Sequence, residues 1–365
     1  QPRMESVKHP FYHRVSLNLL SIALLIAAVY LGKDVVLPVL FSILLATLLL
    51  PVYKFLLNKK FPRPIAIILP LTISLVLVFS VIFLLSKQIV RFFDDLPTLT
   101  ERVDELKLSA ERWIDDQTNV TVREQEKYID QTVKNIKSNA PKMVGATFLT
   151  LTDILTYVVL IPIYTFLILF YKDTIKSFLM NVFRNGSEKK VEEVLNESTS
   201  VAQHYIVGLS IETALVFALN VVGFLILGIK YAVFLALLAA LLNLIPYVGI
   251  LSANIICMFI TLVSSDTPTD VIWVGVILAV VQFFDNNFGM PMIVGNRVKI
   301  NALVTILGIL IGGAVCGIPG MFLAIPALAV MKVICERVPD LKAWAILLSD
   351  EENDVKRKRV TKKAN

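Results

Sequence analysis

The chain has 365 residues, of which 56% are hydrophobic and only 18% charged, whereas soluble domains average about 45–50% apolar and about 25% charged residues. The charges lie between apolar runs and at the two ends, which excludes an ordinary soluble domain and describes a polytopic membrane protein. The formal net charge of +6 resides largely in Lys356–Arg359, Lys362, Lys363 and the N-terminal basic residues, so it reads as a topological signal with a second use in contact with anionic lipid, and not as a nucleic-acid footprint.

In chain order, residues 1–14 are expected to be a cytoplasmic N-terminus, and residues 15–86 to hold three transmembrane helices at about 15–31, 35–57 and 65–86. The first apolar run is followed by Gly32-Lys33-Asp34 and at once by another, so it reads as a retained helix and not as a cleaved signal. Lys54, Lys59, Lys60 and Arg63 surround the second connection. The positive-inside rule places that connection and the N-terminus in the cytoplasm.

Residues 87–142 are polar, with apolar residues at helical intervals, among them Ile89, Phe92, Phe93 and Leu96. They predict an extracytoplasmic amphipathic helical insert, either a solvated cap or a gate or subunit contact. A fourth transmembrane helix at 143–171 returns the chain to the cytoplasm, and a charged helical connector covers 172–204.

The C-terminal half has a different pattern. A span beginning at Tyr205 carries Glu212 and Asn220, and is followed by an apolar stretch from Tyr231 to Val263 that breaks near Asn243–Gly249. A second span beginning at Val271 turns polar at Gln282 and Asp285-Asn286-Asn287. The stretch Asn301–Ile334 then breaks at Gly312-Gly313, Gly317-Ile318-Pro319-Gly320 and Pro326. The stretch Asn301–Ile334 is too long for one span of about 20 residues and too short for two comfortable ones. If both broken stretches are hairpins, the sides balance. Residues 205–263 form span plus broken hairpin, residues 271–336 repeat it inverted, and the basic tail 337–365 ends in the cytoplasm. The expected fold is therefore an all-α polytopic membrane protein. It has about six full transmembrane helices, two Pro/Gly-broken helical hairpins (eight apolar segments overall) and the extracytoplasmic helical insert. The alternative is eight or more simple spans with kinks.

Asp285, Gln282 and Asn286 share one helical face, with Asn287 beside them, so their oxygens suit a proton, a sodium ion or a hydroxyl-rich solute. They also fit the interfacial end of a span, where polar groups cost little. Glu212 lies about two turns into an apolar helix, where an ionisable group usually faces a bundle interior or cavity. Asn220, Asn243 and Asn254 suit helix-packing hydrogen bonds when taken one at a time, and Asn243 is retained as a binding candidate. Pro246, Gly249, Gly317, Pro319, Gly320 and Pro326 mark the hairpin breaks.

Cys257, Cys316 and Cys335 lie in or beside apolar runs and imply no disulfide framework. Three histidines (His9, His13, His204) give a zinc site little to work with, and no metal or cofactor is expected. The chain lacks GxxxxGK[ST], HExxH and GxSxG, so it has no phosphate loop or hydrolase core and is not expected to be an enzyme.

Taken together, Leu244-Ile245-Pro246-Tyr247-Val248-Gly249, Gln282…Asp285-Asn286-Asn287…Pro291…Gly295 and Gly312-Gly313…Gly317-Ile318-Pro319-Gly320…Ala324-Ile325-Pro326 resemble the autoinducer-2 exporter family of bacterial membrane transporters. The layout of the whole chain is similar, while the specific motifs lie in the last third. The resemblance implies a multi-pass protein of the bacterial inner membrane that is not driven by ATP. It also implies a homo-oligomer, with a pentamer as the expected state, and an elevator-like step of the hairpin-bearing part. Family members are linked to export of the quorum-sensing furanone autoinducer-2 and to sodium/proton exchange. The chain departs from the family pattern at Asn301-Ala302, where members commonly carry His-Pro, and this weakens transfer of the substrate but not of the fold.

The expected function is a secondary transporter or exporter of a small polar solute. Glu212, Asn243, Gln282, Asp285, Asn286 and Asn287 are the candidate contacts for solute, proton or sodium. The alternatives are a sodium(cation)/proton antiporter and a non-transporting membrane scaffold.

Overall fold

The computed structural model describes residues 11–95, 157–182, 188–245, 248–265, 267–289, 292 and 300–349. Most of the expected insert, the first part of the fourth span, Pro246, Pro291, Arg297, Lys299 and the basic tail from 350 lie outside the described residues.

Among the described residues every regular element is helical, apart from a lone bridge between Ile300 and Ser349. The elements are α1 (Phe11–Leu31), α2 (Lys33–Asn58), α3 (Arg63–Asp94), α4 (described over Tyr157–Phe170), α5 (Lys172–Val182), α6 (Glu188–Ile226), α7 (Ala232–Asn243), α8 (Val248–Ser264), α9 (Pro268–Phe284), α10 (Ala302–Arg337) and α11 (Lys342–Leu348). By length and composition alone, five of the described helices could cross a membrane, with α10 counted as a single helix, or six if the bent pair α4–α5 counts as one span. The chain is an all-α polytopic membrane protein.

The outer surface shows what this composition is for. Leu31, Ile226, Leu251, Ile255 and Ile272 are largely exposed. A soluble monomer rarely presents such contiguous apolar surface, whereas a bilayer is its natural solvent. Helices that gain nothing by hiding apolar side chains from lipid associate through small and hydroxyl side chains instead. The buried Ser42 hydroxyl of α2 donates to the Ile161 carbonyl of α4 at 3.0 Å, and Thr165 reaches back to the Ser42 carbonyl at 3.4 Å. Around them Tyr53, Ile67 and Leu169 close a core of α2, α3 and α4.

The charged connector and the fifth span are not separate helices. Chain polarity changes near Tyr205, but backbone hydrogen bonds continue, so α6 runs as one helix of 39 residues. It ends where Gly228 takes φ +70°, with the Ile229 N–H on the Phe224 carbonyl and the Gly228 N–H on the Leu225 carbonyl. That is the glycine-dependent way of closing the last turn of a helix. α5, by contrast, bends 68° away from α4 and buries no residue.

Two segments fold back on themselves. α7 and α8 pack against each other, with the Cys257 thiol near the Leu235 carbonyl. A methyl on Gly249 would meet the Leu242 carbonyl at 1.7 Å, so the backbones are in direct contact at the break. At 12 and 17 residues they extend about 18 and 26 Å, short of a hydrocarbon core of about 30 Å.

α10 turns at Gly317 (φ 64°, ψ −150°), a conformation that only glycine adopts readily. Beyond it the second half lies against the first. Gly308 faces Leu328, while Gly312 faces Gly320 and Ala324. The paired numbers run in opposite directions, as in an antiparallel hairpin. The main core joins α6–α9 through Phe224, Leu235, Cys257, Val274 and Leu278, and α10 packs along α6 and α2.

Candidate functional site

The site lies where α6, the end of α7 and the end of α9 meet. α9 is regular to Phe284 and then widens into a π-helical turn, Asp285–Gly289. Single π turns are rare and are frequently found at functional sites. Asp285 opens that turn on the same buried face as Val274, Leu278 and Val281, and is 4% exposed. Glu212 of α6 is 7% exposed, and its carboxyl lies close enough to that of Asp285 to interact with it directly.

The Asn243 side chain at the end of α7 donates to Asp285 Oδ2 at 3.3 Å, while Asp285 Oδ1 is buried without a hydrogen-bond partner. Among the described residues no basic side chain pairs with either carboxyl, the ion pairs lying elsewhere. Two carboxylates side by side in a low-dielectric interior repel strongly unless a proton or cation lies with them. The arrangement can therefore hold a proton, a cation or a donor-rich solute.

The structure divides the six candidates. Glu212, Asp285 and Asn243 converge on one point. Gln282 and Asn286 pair with each other, the Gln282 Nε2 donating to Asn286 Oδ1 at 3.0 Å, and Asn287 donates to the Phe283 carbonyl at 2.8 Å. Asn286 and Asn287 are exposed. Gln282 instead lines a second, smaller void together with Asn220, Asn243 and Asn254.

Of the hairpin breaks, Gly249, Gly317, Pro319, Gly320 and Pro326 are described, and the glycines among them permit the close contacts given above. On the far side of Asp285 an apolar groove of about 540 Å³ runs between α6 and α9, bounded by Leu219, Val222, Val276, Val280 and Phe284. Among the described residues no three His, Cys, Asp or Glu side chains cluster as a metal site.

Comparison with known proteins agrees with this architecture. The family model described as AI-2E family transporter matches residues 19–340. YueF of Bacillus subtilis (strain 168), provisionally named a transport protein, is 25% identical over 304 residues, covering 81% of this chain and 82% of its own. YhhT of Escherichia coli (strain K12), also provisionally named a transport protein, is 22% identical over 352 residues, covering 92% and 93%. PerM of the same strain, provisionally named a permease, is 24% identical over 292 residues, covering 78% and 80%.

Proposed function

For a chain that belongs to the AI-2E family of transporters, and is thus a multi-pass bacterial membrane protein with a transport role and not an enzyme, we propose a secondary transporter that binds a small polar solute at Glu212, Asp285 and Asn243. It moves that solute by an elevator-like displacement of the two hairpins, α7–α8 and α10, which enter the membrane and turn back within it. The solute class that fits is a compact, hydroxyl-rich molecule such as the furanone autoinducer-2, and the working unit is a homo-oligomer. The observation that carries this reading is the meeting of two buried carboxyls and one amide at the junction of a long span, a broken hairpin and a π turn. Intramembrane carboxyls are costly and mark solute or ion pathways, and broken helices beside them are how transporters build sites at depth.

A second reading is a cation/proton antiporter, favoured by the absence of a basic partner beside the carboxyl pair among the described residues. Liposomes containing only the purified protein separate the two. Under imposed proton or sodium gradients, movement of labelled autoinducer-2 that is lost in Glu212→Gln and Asp285→Asn supports the solute transporter. Exchange of sodium for protons without solute movement supports the antiporter. Undiminished solute flux in both variants would remove these residues from the site.

A further inference from the structure

Beside the carboxyl pair is a void of about 20 Å³, lined by Asn220, Asn243, Asn254 and Gln282 within apolar walls. Four amide side chains from four helices, α6 to α9, converge on a space the size of one small ion or one water. We propose that this is a binding site for a dehydrated monovalent cation of sodium size, held by amide oxygens and offset in charge by Asp285.

Three observations point to a positive occupant. The Asn220 side chain is 1% exposed, and its Oδ1 has no hydrogen-bond partner. Its Nδ2 donates to the Val216 carbonyl at 2.9 Å, an acceptor that accepts only from the nitrogen end and so fixes which atom is left over. An orphaned amide oxygen at such burial costs free energy unless something meets it.

The neighbouring amides are spent in the same sense. Asn243 gives its nitrogen to Asp285 and Gln282 gives its nitrogen to Asn286. In both residues one amide N–H is committed outside the void, and the amide oxygen is the acceptor each can offer to an occupant. Hard cations take oxygen ligands, carbonyl-type oxygens among them.

Charge decides between an ion and a water. Asn243 couples the void to Asp285, whose charge has no basic side chain beside it among the described residues. A cation in the void supplies the missing positive charge one hydrogen bond away. A water would satisfy Asn220 but bring no positive charge beside the carboxyl pair. In the function proposed above this ion is the coupling ion, and the inference rests on that reading for its role but not for its existence.

The test is direct binding of radioactive sodium to the purified, detergent-solubilised protein, read by scintillation proximity. The expected result is saturable binding displaced by unlabelled sodium chloride and not by choline chloride. Binding should fall at least tenfold in Asn220→Leu, which fills the void, and in Gln282→Leu at the less buried rim. Size-exclusion profiles report folding, and should Asn220→Leu aggregate, the wild-type protein and Gln282→Leu still decide the matter.

Absence of saturable binding to the wild-type protein overturns the inference and leaves the void to a water, as does binding that both folded variants retain. Sodium binding in a protein that moves neither solute nor cation in liposomes would keep the site and sink the transport reading. Sodium-independent solute flux without binding would do the reverse.

Discussion

Gly289 stands one π-helical turn beyond Asp285, and a methyl group in its place would lie 2.7 Å from Asp285 Oδ1. That oxygen is the buried, unpartnered one, so the smallest residue type sits against the atom best placed to meet an occupant. A side chain at 289 forces that carboxylate out of its present position.

Gly289→Ala is therefore expected to cut transport by tenfold or more while leaving helix content and oligomer profile unchanged. The control is Gly275→Ala on the same helix, where the added methyl meets only the flexible end of Met258 at 3.4 Å. Liposome flux for both variants checks the idea, and equal flux in the two would show that the position of the carboxylate does not limit transport.

The hairpin in α10 depends on two backbones touching. A Cβ on Gly320 would come within 2.0 Å of the Gly312 carbonyl oxygen, and one on Gly312 within 2.4 Å of the Gly320 oxygen. Backbone cannot yield as a side chain can. Overpacking a tight site costs about 1–3 kcal/mol. Gly320→Ala should accordingly lower the thermal unfolding midpoint in detergent more than Gly308→Ala, where the obstacle is the Leu328 side chain at 2.5 Å. The reverse order would mean that the two halves of α10 separate easily.

Much of this was legible in the sequence, and the limits have physical causes. The apolar runs and glycine–proline breaks announce membrane helices because lipid leaves a chain few other options. Glu212 and Asp285 stand out singly for the same reason, since a carboxylate in an apolar run demands an explanation. That the two meet, 73 positions apart, depends on how α6 crosses α9, and no local pattern encodes that crossing. Helical spacing grouped Gln282, Asp285 and Asn286 on one face, but Asp285 continues the buried row of Leu278 and Val281 while Asn286 stays outside as partner to Gln282. Asn220 and Asn254 read singly as packing residues, and only the fold places them around one void with Asn243 and Gln282. The change of polarity near Tyr205 looked like a boundary between connector and span, although backbone hydrogen bonding is indifferent to it and α6 continues through.

At the opposite end of α6, Asp95 closes a contact between α3 and the turn before α7. Its carboxyl accepts from Lys230 at 2.8 Å and from the Tyr231 hydroxyl at 2.5 Å, while the Phe92 ring lies edge-on to Tyr231. The Lys230 ammonium, with help from Tyr231, holds the Asp95 carboxyl below its usual range, and Asp95 in turn holds the Lys230 ammonium above its own. The Asp95 contribution is complete above the unfolded carboxylate value and fades as pH falls through the lower folded one. That of Lys230 is complete below the unfolded ammonium value and fades as pH rises through the higher folded one. The contact should thus be independent of pH between about 5 and 9. Hydrogen exchange of residues 228–232 measures this. Protection should be flat across that window, weaken in stronger acid, and be lost in Asp95→Ala at every pH.

The last prediction concerns motion. Arg337, at the end of α10, reaches Glu197 of α6 at 2.9 Å through Nε and 2.7 Å through Nη2, with Glu193 at 3.8 Å. All three side chains are well exposed. Exposed pairs contribute about 0–1 kcal/mol, so Arg337→Ala should barely change the unfolding midpoint. If the α10 hairpin travels relative to α6 during transport, this contact must break and re-form each cycle, and a covalent link there must stop the cycle. Arg337→Cys combined with Glu197→Cys, in a Cys316→Ser background that leaves only the buried Cys257 and Cys335, can be bridged by a short thiol crosslinker that a reductant cleaves. Flux should disappear on bridging and return on cleavage. Full flux in the bridged protein would mean that α10 and α6 move as one body, and the moving part would then have to be sought in α7–α8.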